Sequence, residues 1–145
     1  MDQAIIDGNA AATQRMRAMI GRLDDEQLGR ELEGGWTPAA MLAHVAFWDR
    51  RLVELIDRWS REKVAAPPAV DLDVFNDALL PQWRLIPARA AADDALSAVE
   101  RADQAIAGVS PALYAEIQRV MDRQRFDRAR HRNMHLDQIE QGLNQ

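Results

Sequence analysis

The chain contains no cysteine. Disulfides, cysteine-ligated zinc, iron–sulfur clusters and a protein-borne thiol nucleophile are thereby excluded together, so any metal must bind through histidine or carboxylate. Long apolar runs are missing too, since no segment approaches the roughly 18 residues that a membrane-spanning helix needs. Residues 1–20 include Asp2 and Asp7 and hold no uninterrupted hydrophobic stretch. They do not read as an export signal, and a cytoplasmic address is expected. An excess of positive charge is also absent. The net charge of -5, from 18 basic and 23 acidic residues, lacks the field of a nucleic-acid binder, so neither nucleic acid nor membrane is expected as a partner. Threonine is reduced to Thr13 and Thr37, and no alternating apolar–polar run of strand type occurs.

What is present points to helices. Twenty-five of the 145 residues are alanine, the strongest helix former, and the length suits a single domain spanning 1–145. A first helix is expected from about residue 3 to Leu28 or Leu32, with Ile5, Ile6, Met16, Met19, Ile20 and Leu23 on its apolar side and Gly34-Gly35 as its stop. Trp36-Thr37-Pro38 is the clearest start signal, because a capping hydroxyl is followed by a proline whose missing N–H costs nothing there. The second helix should run to about Lys63, carrying Met41, Val45, Trp48, Leu52, Leu55 and Trp59 at the three–four spacing of a bundle seam. Pro67-Pro68 ends it. The stretch to Pro87 reads as a long connection with one short helix around Leu72–Leu80. A third helix covers Ala88–Ala107, with Leu96, Val99 and Ile106 facing in. Ser110-Pro111 repeats the cap-then-proline start, and a short helix followed by a fourth long one takes the chain to about Leu143. The fold class expected is all-α, a four-helix bundle with a long crossover between helices two and three.

Three histidines carry the chemical signal. His131 and His135 are four residues apart in a helical stretch, which places their Cβ atoms about 5–6 Å apart on one face and allows both rings to hold one metal ion. Alone, that spacing also fits a surface pair or a packed pair. The same stripe carries Gln124, Asp127, Arg128 and Gln138 and is flanked by Met134, Ile139 and Leu143, a polar strip within apolar surroundings. His44 shares the core-facing side of the second helix with Trp48 and Leu55. A buried imidazole there needs partners for its nitrogens. Either a backbone carbonyl or carboxylate serves it, or the other two histidines do so through a metal. Asp127, one turn before His131, reads as an acceptor fixing an imidazole tautomer, as a fourth ligand, or as a solvated helix charge.

Other chemistries lack their residues. His131-Arg132-Asn133-Met134-His135 has no glutamate after the first histidine, which removes the base of the zinc-protease helix. No serine sits in a nucleophile-elbow context, Gly34-Gly35 lacks the lysine and preceding strand of a phosphate loop, and no Glu-x-x-His pair marks a di-iron bundle. Arg123, Arg125, Arg128, Arg130 and Arg132 crowd one segment but point in several directions. They are expected to form a solvated face with salt bridges, with Arg128 able to present a cation to an anionic substrate at a pocket mouth.

The run Gly35-Trp36-Thr37-Pro38 through Leu42-Ala43-His44-Val45-Ala46-Phe47-Trp48, taken with His131-x-x-x-His135-Leu136-x-Gln138-Ile139, resembles the DinB/YfiT-like superfamily over nearly the whole chain. The stretch Asp71–Arg84, with Asn76 and Trp83, resembles linkers in one branch of it. That resemblance implies a bundle with a crossover after its second helix, usually a homodimer, holding a divalent metal through three histidines that map onto His44, His131 and His135. It also implies a range of activities, including thiol-dependent isomerases and transferases using mycothiol or bacillithiol, and some hydrolases. The function expected is a metal-dependent enzyme acting on a small-molecule substrate, with a low-molecular-weight thiol as cosubstrate in its transferase form. Trp48 and Met41 would line the pocket, and Asp127 and Gln138 would orient ligands. The alternatives are a metal-binding stress or sequestration protein without turnover, and a helical interaction module whose histidines merely pack. Imidazole suits zinc, nickel, iron and copper alike.

Overall fold

A computed structural model describes residues 2–120 and 126–145 of the chain. All regular structure among them is helical: α1 (Gln3–Arg22), α2 (Asp25–Gly29), α3 (Pro38–Arg61), α4 (Leu72–Trp83), α5 (Ala88–Ala107), α6 (Pro111–Val120) and α7 (Arg128–Leu143), with a 3-10 turn at Glu33–Gly35. No helix among these residues is long and apolar enough to cross a membrane.

All the helices but α5, which follows Pro87, begin where a side chain can satisfy a free backbone donor. Thr37 Oγ1 accepts from the Ala40 N–H at 3.0 Å ahead of α3, and Ser110 Oγ accepts from the Leu113 N–H at 3.2 Å ahead of α6. The first helix departs from expectation. It does not continue to Leu28 or Leu32 but breaks at Leu23 and Asp24, where a capping box starts α2: Asp24 Oδ1 accepts from the Gln27 N–H at 2.7 Å and Gln27 Oε1 from the Asp24 N–H at 3.0 Å. Two satisfied donors outcompete the continuing apolar period of Leu23 and Leu28. The chain then turns through Gly34 and Gly35, whose φ values of 70° and 77° lie in the left-handed region that residues with a Cβ avoid. The Leu32 N–H closes this turn on the Trp36 carbonyl at 2.7 Å.

Packing follows from side-chain size. The buried face of α5 is Ala91, Ala92, Ala95, Ala98 and Ala102 with Val99 and Ile106, and it makes its main contact with α3. Small residues let two helix axes approach closely. Ala39, Ala40 and Ala43 meet Ala91 at one end, while Leu52, Ile56 and Trp59 meet Ile106 at the other, so α3 and α5 run in the same direction. Parallel neighbours cannot be joined by a tight turn. With α3 about 36 Å long, the chain must travel back before α5 begins, and α4 packs against α3 on that return. The long connection read from Pro67-Pro68 is this return, and its helix extends three residues beyond Leu80 to Trp83.

α1 and α7 form the second parallel pair: Asn9 binds the start of α7, and Arg15 reaches Asn133, Asp137 and Glu140 further along. The two pairs oppose each other. Thr13 meets Asp103 and Arg17 meets Glu100 across α1 and α5, and Asp49 meets Arg132 across α3 and α7. Met16, Met19, Leu42, Val45, Val99, Leu136 and Ile139 fill the space between the four long helices.

Candidate metal centre

α7 owes its position to α1. The buried Asn9 accepts through Oδ1 from the N–H groups of Arg128 and Ala129, both at 2.9 Å, and donates from Nδ2 to the Phe126 carbonyl at 2.8 Å. Orphan donors at a helix start are thus satisfied from another helix. Asp127 Oδ1 adds a weaker cap on the Arg130 N–H at 3.4 Å. From this start, one turn of helix brings His131 and two turns bring His135 to face α3, where His44 lies in the second turn, 4% exposed.

The three rings converge through the same nitrogen. His44 Nε2 lies 3.1 Å from His131 Nε2, and His135 Nε2 lies 3.2 Å from it. One in-plane position exists on each imidazole nitrogen, holding either a proton or a lone pair. His131 Nε2 can therefore make one good hydrogen bond, not two, and no placement of protons on three neutral rings satisfies both contacts. A cation at the common point does. Metal–nitrogen bonds of 2.0–2.1 Å in tetrahedral geometry separate the ligand nitrogens by about 3.3 Å, close to the distances found. His44 Nδ1, the ring's other nitrogen, is buried without a hydrogen-bond partner. Among the described residues, these three histidines form the one group of three or more potential ligands within reach of a shared ion.

The electrostatics suit a cation-binding donor set. Burial pushes the His44 imidazole down to about 3, with nearby His135 and Arg128 adding to the effect. His131 is pushed down to about 2, first by burial and then by Arg128. Burial lowers His135 as well, against the opposing hydrogen bond to Gln138. Neutral imidazole is the form that binds metal. Gln138 Oε1 accepts from His135 Nδ1 at 2.7 Å, which leaves the Nε2 lone pair of that ring directed at the common point.

Tryptophans surround His44. Trp36, Trp83 and Trp48 place their ring centroids 5.7, 5.2 and 6.3 Å from it. Trp48 Nε1 donates to Asn76 Oδ1 at 3.2 Å, tying α4 to the site. A cavity of about 570 Å³ opens beside the three histidines, walled by Trp48, Leu52, Leu55, Val70 and Met134 with Asp73 and Asn76. Met41 lies elsewhere. It borders a second cavity of about 540 Å³ on the far side of His135, with Trp36 and Gln138.

Several expectations require correction. Asp127 neither joins the histidine group nor orients a ring; it caps α7. Arg132 does not belong to a solvated face. It is fully buried, and its guanidinium donates to Asp49, Asp103, Thr13 and the carbonyls of Asn9 and Val99. Arg128 borders the 570 Å³ cavity but is engaged with protein groups, through Nε to Asp49 Oδ1 at 2.5 Å and through a terminal nitrogen to His131 Nδ1 at 3.0 Å. Arg130 is exposed as expected; Arg123, Gln124 and Arg125 lie outside the described residues. The carboxylates that organise these arginines, Asp49 and Asp103, went unread. Their signal was available, because Asp49 falls between Val45 and Leu52 at the spacing of the apolar seam.

A family model described as the DinB superfamily matches residues 10–139. The chain belongs to this superfamily. No curated protein and no solved structure matches it.

Proposed function

We propose that the protein is a metal-dependent enzyme holding a divalent ion through Nε2 of His44, His131 and His135. The observation that carries this reading is the pair of Nε2–Nε2 distances, 3.1 and 3.2 Å, meeting at one nitrogen. Bound by three neutral ligands, such an ion keeps its full charge and supplies Lewis acidity, enough to bring water or a thiol toward deprotonation near neutral pH. The chain's own contribution is positioning. Gln138 fixes the tautomer of His135, Asn9 fixes the helix that presents both late histidines, and the tryptophans keep bulk water from His44. A cavity of about 570 Å³ reaching all three rings favours turnover over sequestration, because a storage site needs no room for a second molecule.

Substrate and reaction come from resemblance: transfer or isomerisation with a low-molecular-weight thiol, which must come from outside since the chain has no cysteine, or hydrolysis of a small molecule. The four long helices read as a four-helix bundle, and the assembly as a homodimer. Metal analysis of untagged protein tests the centre. Zinc, nickel or iron near one equivalent per chain is expected, with loss in His135→Ala; no stoichiometric metal would leave only a helical scaffold. Metal-dependent consumption of glutathione, mycothiol or bacillithiol with a panel of electrophiles tests the transferase form.

A further inference from the structure

We infer that Arg128 is a latch on the metal-free centre, one that must leave His131 before an ion can bind. The inference rests on the three-histidine reading above. A ligand histidine bound through Nε2 carries its proton on Nδ1 and directs it to an acceptor, normally a carboxylate, a backbone carbonyl or water. His135 obeys this rule through Gln138 Oε1. His131 breaks it, because its Nδ1 partner is a terminal guanidinium nitrogen of Arg128 at 3.0 Å. Guanidinium has donors only and keeps its charge at any ordinary pH. His131 Nδ1 must therefore be the acceptor, which puts the ring's one proton on Nε2, the nitrogen the ion requires. The contact suits the metal-free protein and opposes the loaded one.

The surroundings allow release. Arg128 has a second anchor, its Nε on Asp49 Oδ1 at 2.5 Å, so its head group can turn away from His131 while its charge stays paired. Asp49 in turn is held on its other oxygen by the buried Arg132 at 2.6 Å and does not depend on Arg128 to stay in place. Arg128 also borders the 570 Å³ cavity, which gives the displaced nitrogen space. Loading the ion then exchanges one hydrogen bond at His131 for another and moves a cation within the cavity wall.

The test uses the untagged full chain, metal-free and zinc-loaded, with zinc affinity read by competition against a chromophoric chelator. Ring-nitrogen NMR of His131 reads the tautomer directly: Nδ1 should be bare in the metal-free protein and carry the proton after zinc is added. A zinc-loaded crystal structure should show Arg128 out of hydrogen-bond reach of Nδ1. Arg128→Met, which keeps length and loses the donors, should bind zinc at least about tenfold more tightly, opposite in sign to the usual loss of an outer partner. A His131 Nδ1 still bare beside Arg128 in the zinc-loaded protein overturns the inference, as does equal or weaker zinc binding by a folded Arg128→Met. If that variant does not fold, the wild-type spectra and structure decide. Zinc binding with the contact retained sinks the latch alone, whereas no zinc binding by wild type sinks the three-histidine reading and the latch with it.

Discussion

His131 and Arg132 are adjacent in sequence and serve two polar clusters of opposite character. Around Arg132, each charge has a counter-charge and each donor an acceptor: Asp49 and Asp103 face the guanidinium, Thr13 Oγ1 donates to Asp103 Oδ2 at 2.7 Å, and two carbonyls take the remaining N–H groups. Around His131, the Nε2 atoms of His44 and His135 compete for one position on its own Nε2. A buried polar cluster that closes on itself is a structural device; one left open is complete only with a ligand. Neighbours on one helix can thus be told apart by counting donors and acceptors.

The largest expected effect breaks the closed cluster. Arg132→Met should destabilise the protein by about 3–5 kcal/mol, the usual result of removing one partner from a buried charge set, as read by urea unfolding. A cost below about 1 kcal/mol would mean that the cluster relaxes with water and is not the closed unit described here. The open cluster should respond in the opposite way, gaining from an added ion. Zinc at 100 times its dissociation constant should stabilise wild type by about 2.7 kcal/mol, and the gain should vanish with chelator or in His44→Leu. An equal gain in His44→Leu would place the zinc elsewhere.

Acid separates the clusters further. In the metal-free protein His44 and His131 sit near 3 and 2, below the 6.5 of an ordinary histidine. As pH falls, the unfolded chain takes up protons before the folded one does, so stability is unaffected by these two groups above about 6.5 and declines from there toward about 2. Urea midpoints across that window should fall with pH in chelator-treated wild type and fall less steeply in His44→Leu. Identical profiles would mean that His44 is not held neutral by burial.

The two clusters were unequally legible in the sequence, for a physical reason. His44, His131 and His135 could be read because histidine is rare in this chain and its spacing has a chemical meaning. The helix starts at Pro38 and Pro111 could be read because caps are local. The general exposure of charge puts Arg132 in solvent, although it stands four residues before Leu136 and seven before Ile139, the buried stripe of α7. A helix pattern shows which side of the helix a residue occupies, not what stands opposite, and Arg132 is comprehensible only beside Asp49 and Asp103. The break at Asp24 was a different kind of miss. Its capping pair with Gln27 is local and was present in the sequence, but the apolar period running on through Leu28 masked it.

The smallest expected effect is the sharpest probe of the open cluster. Gln138 is exposed, and its visible contribution is the acceptor it offers to His135 Nδ1. Gln138→Leu removes that acceptor without opening the core, so the metal-free protein should keep its stability to within about 0.5 kcal/mol. Zinc affinity should nevertheless fall by about tenfold, because His135 loses the partner that keeps its Nε2 lone pair toward the ion. Gln138→Glu should restore or exceed wild-type affinity, since a carboxylate accepts the same proton more strongly. If both variants bind zinc as wild type does, the ring is oriented by packing against His44 and His131 alone. The difference between the clusters would then lie in geometry and not in hydrogen bonding.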